Sequence, residues 1–404
     1  MKDNKLYLHV IRFIAIFLVI YCHFISVGSG WKEISGVIKI SDSVTMPLLK
    51  TNVLAYFDTF LKNHFSTYAG TLGVCLFFLL SGFLVPTMME RYSRRSFLIN
   101  RIVRIFPVMW VCLAISGLIT FLTNGITFTP GEYLLNMFLI TTTIGGSMRW
   151  MLPMEVIFYF IAAIIGKFNF KKALISVLSI MLFMACVIAY VIFRDLHLDE
   201  HFTLHNIRFI LQFISPILKD LHLDKHPTLH HICFILQFIP IIFIGTSIYL
   251  AKQYKNILTK IACVSFFTSL AYLSLKLSCQ KFNLELNITT YGNLWTYLIV
   301  LGLWYAVYFV FEKGKLKLGF VLENTVQKLS EAGYPVYLLH LSIGLTLVEK
   351  IRHIFSNSYL ILTVALLFAL LVSRLVYLYV EVPIILLGKR LISFFESKKV
   401  NEEC

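Results

Sequence analysis

Long apolar runs separated by short polar stretches recur along the chain, and the first of them, residues 6–27, contains Arg12 and His23. An apolar run of about 20 residues is long enough to cross a bilayer as a helix. The pattern predicts an all-α, polytopic integral membrane protein with about ten membrane-spanning helices. The predicted spans are 7–27, 70–87, 105–123, 150–166, 173–193, 232–251, 256–278, 291–311, 333–349 and 358–380.

Composition supports this class, since 58% of the residues are hydrophobic, 14% are charged and the mean hydropathy is +0.79. The formal charge of +15 falls mostly in short loops between the apolar runs. Cytoplasmic loops of membrane proteins are rich in lysine and arginine, so this charge does not indicate nucleic-acid binding. The distribution predicts that both termini are cytoplasmic. Residues 1–390 would form one transmembrane domain, and residues 391–404 a cytoplasmic tail.

A tandem duplication interrupts the pattern, because residues 195–214 recur at 220–239 with 16 of 20 positions identical. Its first apolar copy, residues 207–218, is too short to span a bilayer and is interpreted as re-entrant or interfacial. The copies carry seven histidines, at 197, 201, 205, 222, 226, 230 and 231. Such spacing is compatible with a transition metal. A copied polar loop explains it more simply, so no metal site is predicted.

Arg12 and His23 are the first candidates for chemistry, because ionisable side chains in hydrocarbon are costly unless they face a polar interior. Ten residues separate them. In a helix this places them roughly 16 Å apart along the axis and within about 20° of the same face. Both can therefore line one internal channel at two depths. Neutral His23 suits proton abstraction from a hydroxyl, and Arg12 suits binding of a carbonyl, carboxylate or phosphate.

Further candidates lie in the later spans. Ser81 and Gly82 belong to the stretch 73–83. Its small residues either let helices pack closely or shape a slot for an acyl chain. Arg101 and Arg104, spaced i and i+3, share a helix face suited to clamping phosphates. Glu155 lies inside a span and needs a cationic or imidazole partner, for which Arg12 and His23 are candidates. His340 and Glu381, in later apolar segments, are interpreted as structural first.

Together these motifs resemble the family-3 membrane acyltransferases. The resemblance covers residues 6 to about 385 and rests on six ordered motifs, namely Arg12-x10-His23, Gly73-Val-x-Leu-Phe-Phe-x-x-Ser-Gly-Phe83, Phe97-x3-Arg101-x2-Arg104-Ile-x-Pro107, Trp150-x-Leu-x2-Glu155-x2-Phe-Tyr159, Tyr337-Leu-x-His340 and Tyr377-x3-Glu381-x-Pro383. The chain departs from the family pattern at Pro335 and at the duplicated insert.

The resemblance implies transfer of an acyl group, most often acetyl from acetyl-CoA, to hydroxyls of envelope polysaccharides or glycolipids at a bacterial inner membrane. It implies that His23 is the catalytic histidine, with Arg12 as its partner, and that Arg101 and Arg104 lie near the CoA. Glu155 is carried over as a motif residue without a fixed role. Acyl-CoA would be a donor substrate, with no permanently bound cofactor, and the partners would be a glycan or lipid-linked sugar acceptor and membrane lipid.

Two other functions are compatible with buried charge in a helical membrane protein. A glycolipid or anion transporter, or flippase, would use Arg12, His23 and Glu155 as a relay, but such proteins usually carry inverted repeats. A membrane glycosyltransferase or glycan polymerase would need a long outer catalytic loop or an acidic metal motif. The acyltransferase interpretation is favoured over both.

Overall fold

The computed structural model describes residues 6–24, 53–125, 127–140, 151–195, 235–282, 293–314, 316–351, 354–355 and 357–402. Within these ranges the chain forms fourteen α-helices and no strand. They are α1 Leu6–Phe24, α2 Val53–Phe65, α3 Ala69–Arg91, α4 Arg94–Asn124, α5 Pro130–Met137, α6 Met151–Ile165, α7 Phe170–Asp195, α8 Ile239–Ala251, α9 Ile257–Phe282, α10 Leu294–Tyr308, α11 Phe320–Glu331, α12 Gly333–Ile351, α13 Ser358–Val376 and α14 Val382–Glu402.

The predicted all-α class is confirmed, and each predicted span coincides with a helix. Seven helical stretches among the described residues are long and apolar enough to cross a membrane; α13 and α14 count as one. The other three predicted spans correspond to shorter apolar helices, α6, α8 and α12. The count of ten and the orientation of the termini therefore stay predictions. The predicted re-entrant segment 207–218 and the seven histidines of the insert lie outside the described residues.

Local sequence signals explain how α4 and α5 begin. The hydroxyl of Ser93 accepts a hydrogen bond from the Ser96 amide, 3.2 Å away, at the start of α4. Thr129 and Glu132 form a reciprocal capping box at the start of α5, with Thr129 Oγ1 accepting from the Glu132 amide. Such caps satisfy backbone N–H groups that have no partner inside the helix. Helix α4 ends at Gly125, which has a left-handed φ of 64°.

Helix α3 is the centre of the bundle, since it packs against α1, α6, α8 and α10. Glycine lets it approach α8 very closely. A Cβ at Gly82 would collide with the carbonyl oxygen of Ile242, and one at Gly245 would collide with that of Leu79. Thr246 Oγ1 donates to the Gly82 carbonyl across the same contact, at 3.1 Å. Gly82 therefore serves close packing of helices, which is the first of the two interpretations given above for the stretch that contains Ser81 and Gly82.

Among the described helices, two π-helical turns interrupt the regular geometry. One, Phe309–Lys313, follows α10, and the other, Tyr377–Glu381, joins α13 to α14. The extra residue in a π turn rotates the side chains that follow it relative to a regular helix, and such turns frequently occur at functional sites. The second turn brings Glu381 to a fully buried position facing α4.

Candidate functional site

A cavity of about 220 Å³ lies between α1, α3, α4, α6, α11 and α12. It is at the end of the bundle that carries Arg91, Arg94 and Arg95, called here the basic end. Five of the predicted site residues line it, namely Arg12, Ser81, Arg101, Arg104 and Glu155. Residues from positions as far apart as 12 and 337 therefore converge on one cavity. Further polar lining residues are Tyr159, Ser330, Glu331, Tyr334 and Tyr337.

Glu155 is held by hydroxyl groups. Ser81 Oγ donates to Glu155 Oε1 at 2.6 Å, and the Tyr159 hydroxyl donates to Oε2 at 3.2 Å. Hydrogen bonds to a carboxylate are stronger than neutral ones, so this pair fixes both oxygens. A cationic partner was expected for Glu155. Among the described residues, the three arginines that line the same cavity supply that positive charge.

The two arginines of α4 are held differently. The Arg101 guanidinium lies over the ring of Tyr159, with its carbon 5.1 Å from the ring centroid, and also contacts the sulfur of Met88. Arg104 Nε lies 3.5 Å from Glu381 Oε1, and the Glu381 side chain is 0% exposed whereas that of Arg104 is 39% exposed. Arg101 is thus stacked on an aromatic ring, and Arg104 offsets a buried carboxylate while still reaching the cavity.

Arg12 reaches the cavity beside Gly333, the glycine with which α12 begins. A Cβ at Gly333 would lie 2.8 Å from Ile16 Cδ1 and 3.6 Å from Arg12 Cδ. The aliphatic part of Arg12 therefore runs against the bare backbone of α12. Glu331, just before this glycine, also lines the cavity and forms an ion pair with Arg374, with Oε2 and Nη1 3.6 Å apart.

His23 does not line this cavity; it lies farther along α1, against His340 of α12. The two imidazole centroids are 5.4 Å apart, with the rings inclined at 37°. His340 Nδ1 lies 3.0 Å from the Val336 carbonyl and 2.9 Å from the Tyr337 carbonyl. Because a carbonyl only accepts hydrogen bonds, Nδ1 carries the proton in the neutral ring. The buried Nε2 of His340 then keeps a lone pair and has no hydrogen-bond partner among the residues that the structure describes.

Two aromatic rings stand between the cavity and the histidine pair. Phe77 and Tyr337 line the cavity, and the same residues line a small void of about 10 Å³ beside His340. Their ring centroids are 6.3 Å apart. Arg12 and His23 therefore occupy the two sides of an aromatic partition. The continuous channel expected from their shared helix face is closed at Phe77 and Tyr337.

Two predicted residues, His23 and Gly82, lie outside the cavity, and other residues of the site were not predicted. Gly82 does not line the cavity but faces α8, because successive residues of a helix point about 100° apart and its neighbour Ser81 faces inward. The sequence motifs gave no role to Phe77 or Glu331, and His340 was interpreted as structural first. A Tyr334 hydroxyl that donates to the Ile105 carbonyl at 3.0 Å ties α12 to α4.

Within the described part of the chain, no group of three His, Cys, Asp or Glu side chains could hold a metal ion. A buried site of three arginines, a hydroxyl-bound carboxylate and a histidine pair, carried by apolar helices, defines a multi-pass membrane protein with a polar reaction or transport centre.

Comparison with protein families narrows this class. The model of the family-3 acyltransferase domain matches residues 5–378, nearly the whole chain, so the chain belongs to that family. The protein is therefore a membrane acyltransferase. Neither the comparison with curated proteins nor the comparison with solved structures gives a match.

Proposed function

We propose that this protein transfers an acyl group, most often acetyl, from acyl-CoA at the cytoplasmic face of a bacterial inner membrane to a hydroxyl of an envelope polysaccharide or glycolipid sugar. The observation that carries the proposal is the pairing of two sites along α1. An arginine-rich cavity lies on one side of Phe77 and Tyr337, and a histidine pair lies on the other. A phosphorylated donor fits the first site, and a hydroxyl that must lose a proton fits the second.

The cavity suits the phosphate-bearing donor. Arg12, Arg101 and Arg104 bring three positive charges, against the carboxylates of Glu155 and Glu331 among the residues that line it. Guanidinium groups bind phosphate oxygens through paired hydrogen bonds. Arg104 is partly exposed and so remains accessible to a ligand. Acetyl-CoA would enter here, with its thioester directed towards Phe77 and Tyr337.

The histidine pair suits acyl transfer. His23 would take the proton of the acceptor hydroxyl as its oxygen attacks the thioester carbonyl. Cleavage of the carbon–sulfur bond would then release CoA, whose thiolate regains that proton from His23. A second route, in which His23 carries the acyl group transiently, has the same overall balance. In either route His340 is proposed as a positioning residue, since its Nε2 lone pair can accept an N–H of His23 and fix the tautomer.

The roughly 16 Å rise between Arg12 and His23 refines the part proposed for Arg12. One thioester carbonyl cannot contact both side chains at once. Arg12 is therefore proposed to hold the donor, and it would stabilise an oxyanion only when the reacting carbonyl is on its side of the partition.

The test compares surface glycans from cells that contain the native protein, His23→Ala or no copy of the gene. Mass spectrometry before and after mild alkali, which removes esters, reports the acyl mass and the sugar that bears it. We expect an alkali-labile ester only with the native protein. His64→Ala is the matched control, because His64 is an exposed histidine outside the site. Equal ester content in all strains, with normal protein abundance, would refute the proposal.

Donor binding is tested on the purified protein by binding and hydrolysis of acetyl-CoA. Arg101→Ala with Arg104→Ala is expected to weaken binding at least about tenfold, since charge-assisted bonds contribute roughly 1.5–3 kcal/mol each. Arg95→Ala is the control, an exposed arginine on the same helix that does not line the cavity. Transport of a glycolipid or anion without CoA turnover would instead favour the transporter interpretation.

A further inference from the structure

A second, larger space of about 560 Å³ lies on the other side of α3 from the proposed acyl-transfer site. We call it the basic groove. Its lining is apolar and aromatic except for Ser265 and three lysines, Lys252, Lys260 and Lys313. None of the lining residues is acidic. The remaining lining residues are Tyr7, Phe83, Ile248, Ala251, Ile257, Ile261, Val264, Leu301, Trp304, Tyr305, Tyr308 and Phe309.

The basic groove opens towards lipid. It is walled by α9 and α10, both long and apolar enough to cross a membrane. Side chains at its margin are exposed on the outer surface of the bundle, with exposed fractions of 63% for Ile257, 56% for Ile261 and 59% for Phe309. Apolar side chains so exposed on membrane-spanning helices face acyl chains. The groove is therefore open to the hydrocarbon of the bilayer.

The three lysines collect at helix ends beside the groove. Lys252 follows α8, Lys260 is in the first turn of α9, and Lys313 ends the π turn after α10. The Lys252 ammonium lies 4.2 Å from the centroid of the Phe83 ring and 5.9 Å from that of Tyr308. Cation–π contacts of this kind hold the charge at the groove. Exposed lysines often extend to the membrane surface on their own, but here three converge on one apolar slot.

We infer that the basic groove binds an anionic phospholipid, with one acyl chain along the apolar wall and the phosphate between the lysines. An apolar slot continuous with the bilayer fits a lipid tail. A free phosphate or another soluble anion has no tail and would not need such a slot. The three lysines of the lining favour an anionic headgroup over a zwitterionic one. Trp304, only 1% exposed, forms the groove floor against Phe83, with ring centroids 5.2 Å apart.

The position of Trp304 provides the assay. The full-length protein is reconstituted in phosphatidylcholine vesicles containing equal fractions of either phosphatidylglycerol or phosphatidylcholine with brominated tails. Bromine quenches the fluorescence of nearby tryptophans. The Trp304→Phe variant keeps the other four tryptophans, so the difference between it and the native protein gives the Trp304 component. We expect the anionic lipid to quench the Trp304 component at a mole fraction about tenfold lower than the zwitterionic lipid does. High salt should weaken this preference.

Replacing Lys252, Lys260 and Lys313 by alanine is expected to abolish this preference. The matched control replaces Lys255, Lys317 and Lys328, which do not line the groove, and should keep it. Arginine at the three groove positions should restore it. The Ser265→Phe variant fills the slot and keeps the three lysines, so it should reduce quenching by both lipids. It tests the groove independently of whether the alanine variant folds.

Equal quenching by the two lipids in the native protein would overturn the inference, as would a preference that survives loss of the three lysines. Release of the lipid by inorganic phosphate or CoA at constant ionic strength would also overturn it, since the groove would then be a site for a soluble anion. The outcome is independent of acyl transfer, because no groove residue lines the cavity of Arg12 and Glu155.

Discussion

At the scale of single residues, the molecule places costly groups next to one another. Glu155 has two hydroxyl donors, Arg101 has an aromatic face, and Glu381 has Arg104. His23 and His340 have each other's rings. A charged or imidazole side chain on a membrane-spanning helix is retained at a free-energy cost, so such sets mark where function is located.

The two histidines are expected to act as one unit. If His340 positions His23, removing His23 abolishes ester formation, and removing His340 in addition changes nothing further. His340→Ala alone should lower glycan esterification about tenfold to a hundredfold, since His23 keeps its chemistry but loses its fixed tautomer. Alkali-labile ester per sugar, measured for both single variants and the double variant, is the readout. Native ester content in His340→Ala would contradict a positioning role of His340, and His64→Ala should match the native protein.

The Arg104–Glu381 pair predicts an asymmetry in stability. Arg104 is 39% exposed and can be solvated alone, whereas Glu381 is 0% exposed and cannot. Arg104→Met leaves an uncompensated buried carboxylate and should destabilise by about 3–5 kcal/mol. Glu381→Gln should cost less, and combining the two substitutions should recover part of the loss. Melting temperatures of the four purified proteins in one detergent test this, and an equal loss for both single variants would contradict it.

At the scale of helices, the fold depends on how closely α3 approaches α8. This contact places Ser81 towards the cavity while Gly82 faces α8. The π turn Tyr377–Glu381 has a comparable effect at the other side of the site, since it brings Glu381 against Arg104 of α4. Both features set the rotation of a helix about its axis, which decides which side chains reach the cavity.

Gly82→Ala should be destabilising for that reason. The added Cβ meets the Ile242 carbonyl oxygen, which belongs to backbone and cannot move aside as a side chain would. Overpacking of this kind costs about 1–3 kcal/mol. Gly302→Ala is the control, because nothing lies within 4 Å of a Cβ there and alanine favours a helix interior. Thermal unfolding should give a lower melting temperature for Gly82→Ala and an unchanged or higher one for Gly302→Ala.

At the scale of the whole molecule, helices from both ends of the chain enclose one divided interior. Helices α1 and α12 contribute to both sides of the partition at Phe77 and Tyr337. In the proposed reaction, such a partition would separate donor from acceptor and keep water from the thioester.

Phe77→Ala is expected to open that partition. Joining the cavity of about 220 Å³ to the void beside His340 admits water, so CoA release from acetyl-CoA without acceptor should rise several-fold while glycan esterification falls. A thiol assay on purified protein measures the release. Phe160→Ala, a phenylalanine 47% exposed on the outer face of α6, should behave like the native protein. Unchanged acceptor-free release from the Phe77 variant would show that the partition does not exclude water.

The predicted orientation is tested by labelling single cysteines in intact cells. In a background without the native cysteines, a cysteine at Ser93, between α3 and α4, should react with an impermeant maleimide only after the cells are opened. A cysteine at Gly131, in α5, should react without opening, because one membrane crossing by α4 separates the two positions. Labelling of both positions in intact cells would exclude cytoplasmic placement of the basic end.

Local patterns in the sequence predict the class, the approximate helix positions and five of the residues that line the cavity. Apolar runs and intramembrane charges are local signals, because the membrane sets the length of a span and penalises each unpaired charge separately. Arg12, Arg101, Arg104 and Glu155 were predicted in this way, and all four line one cavity.

How those residues are arranged around the site depends on the packing of helices against one another. That Ser81 faces the cavity and Gly82 faces α8 depends on the rotation of α3, which its glycine contacts set. The proximity of His340 to His23, 317 residues earlier, and the closure at Phe77 and Tyr337 depend on which helices pack together. Helical periodicity relates neighbours along one helix, whereas these contacts arise from packing between helices distant in the chain.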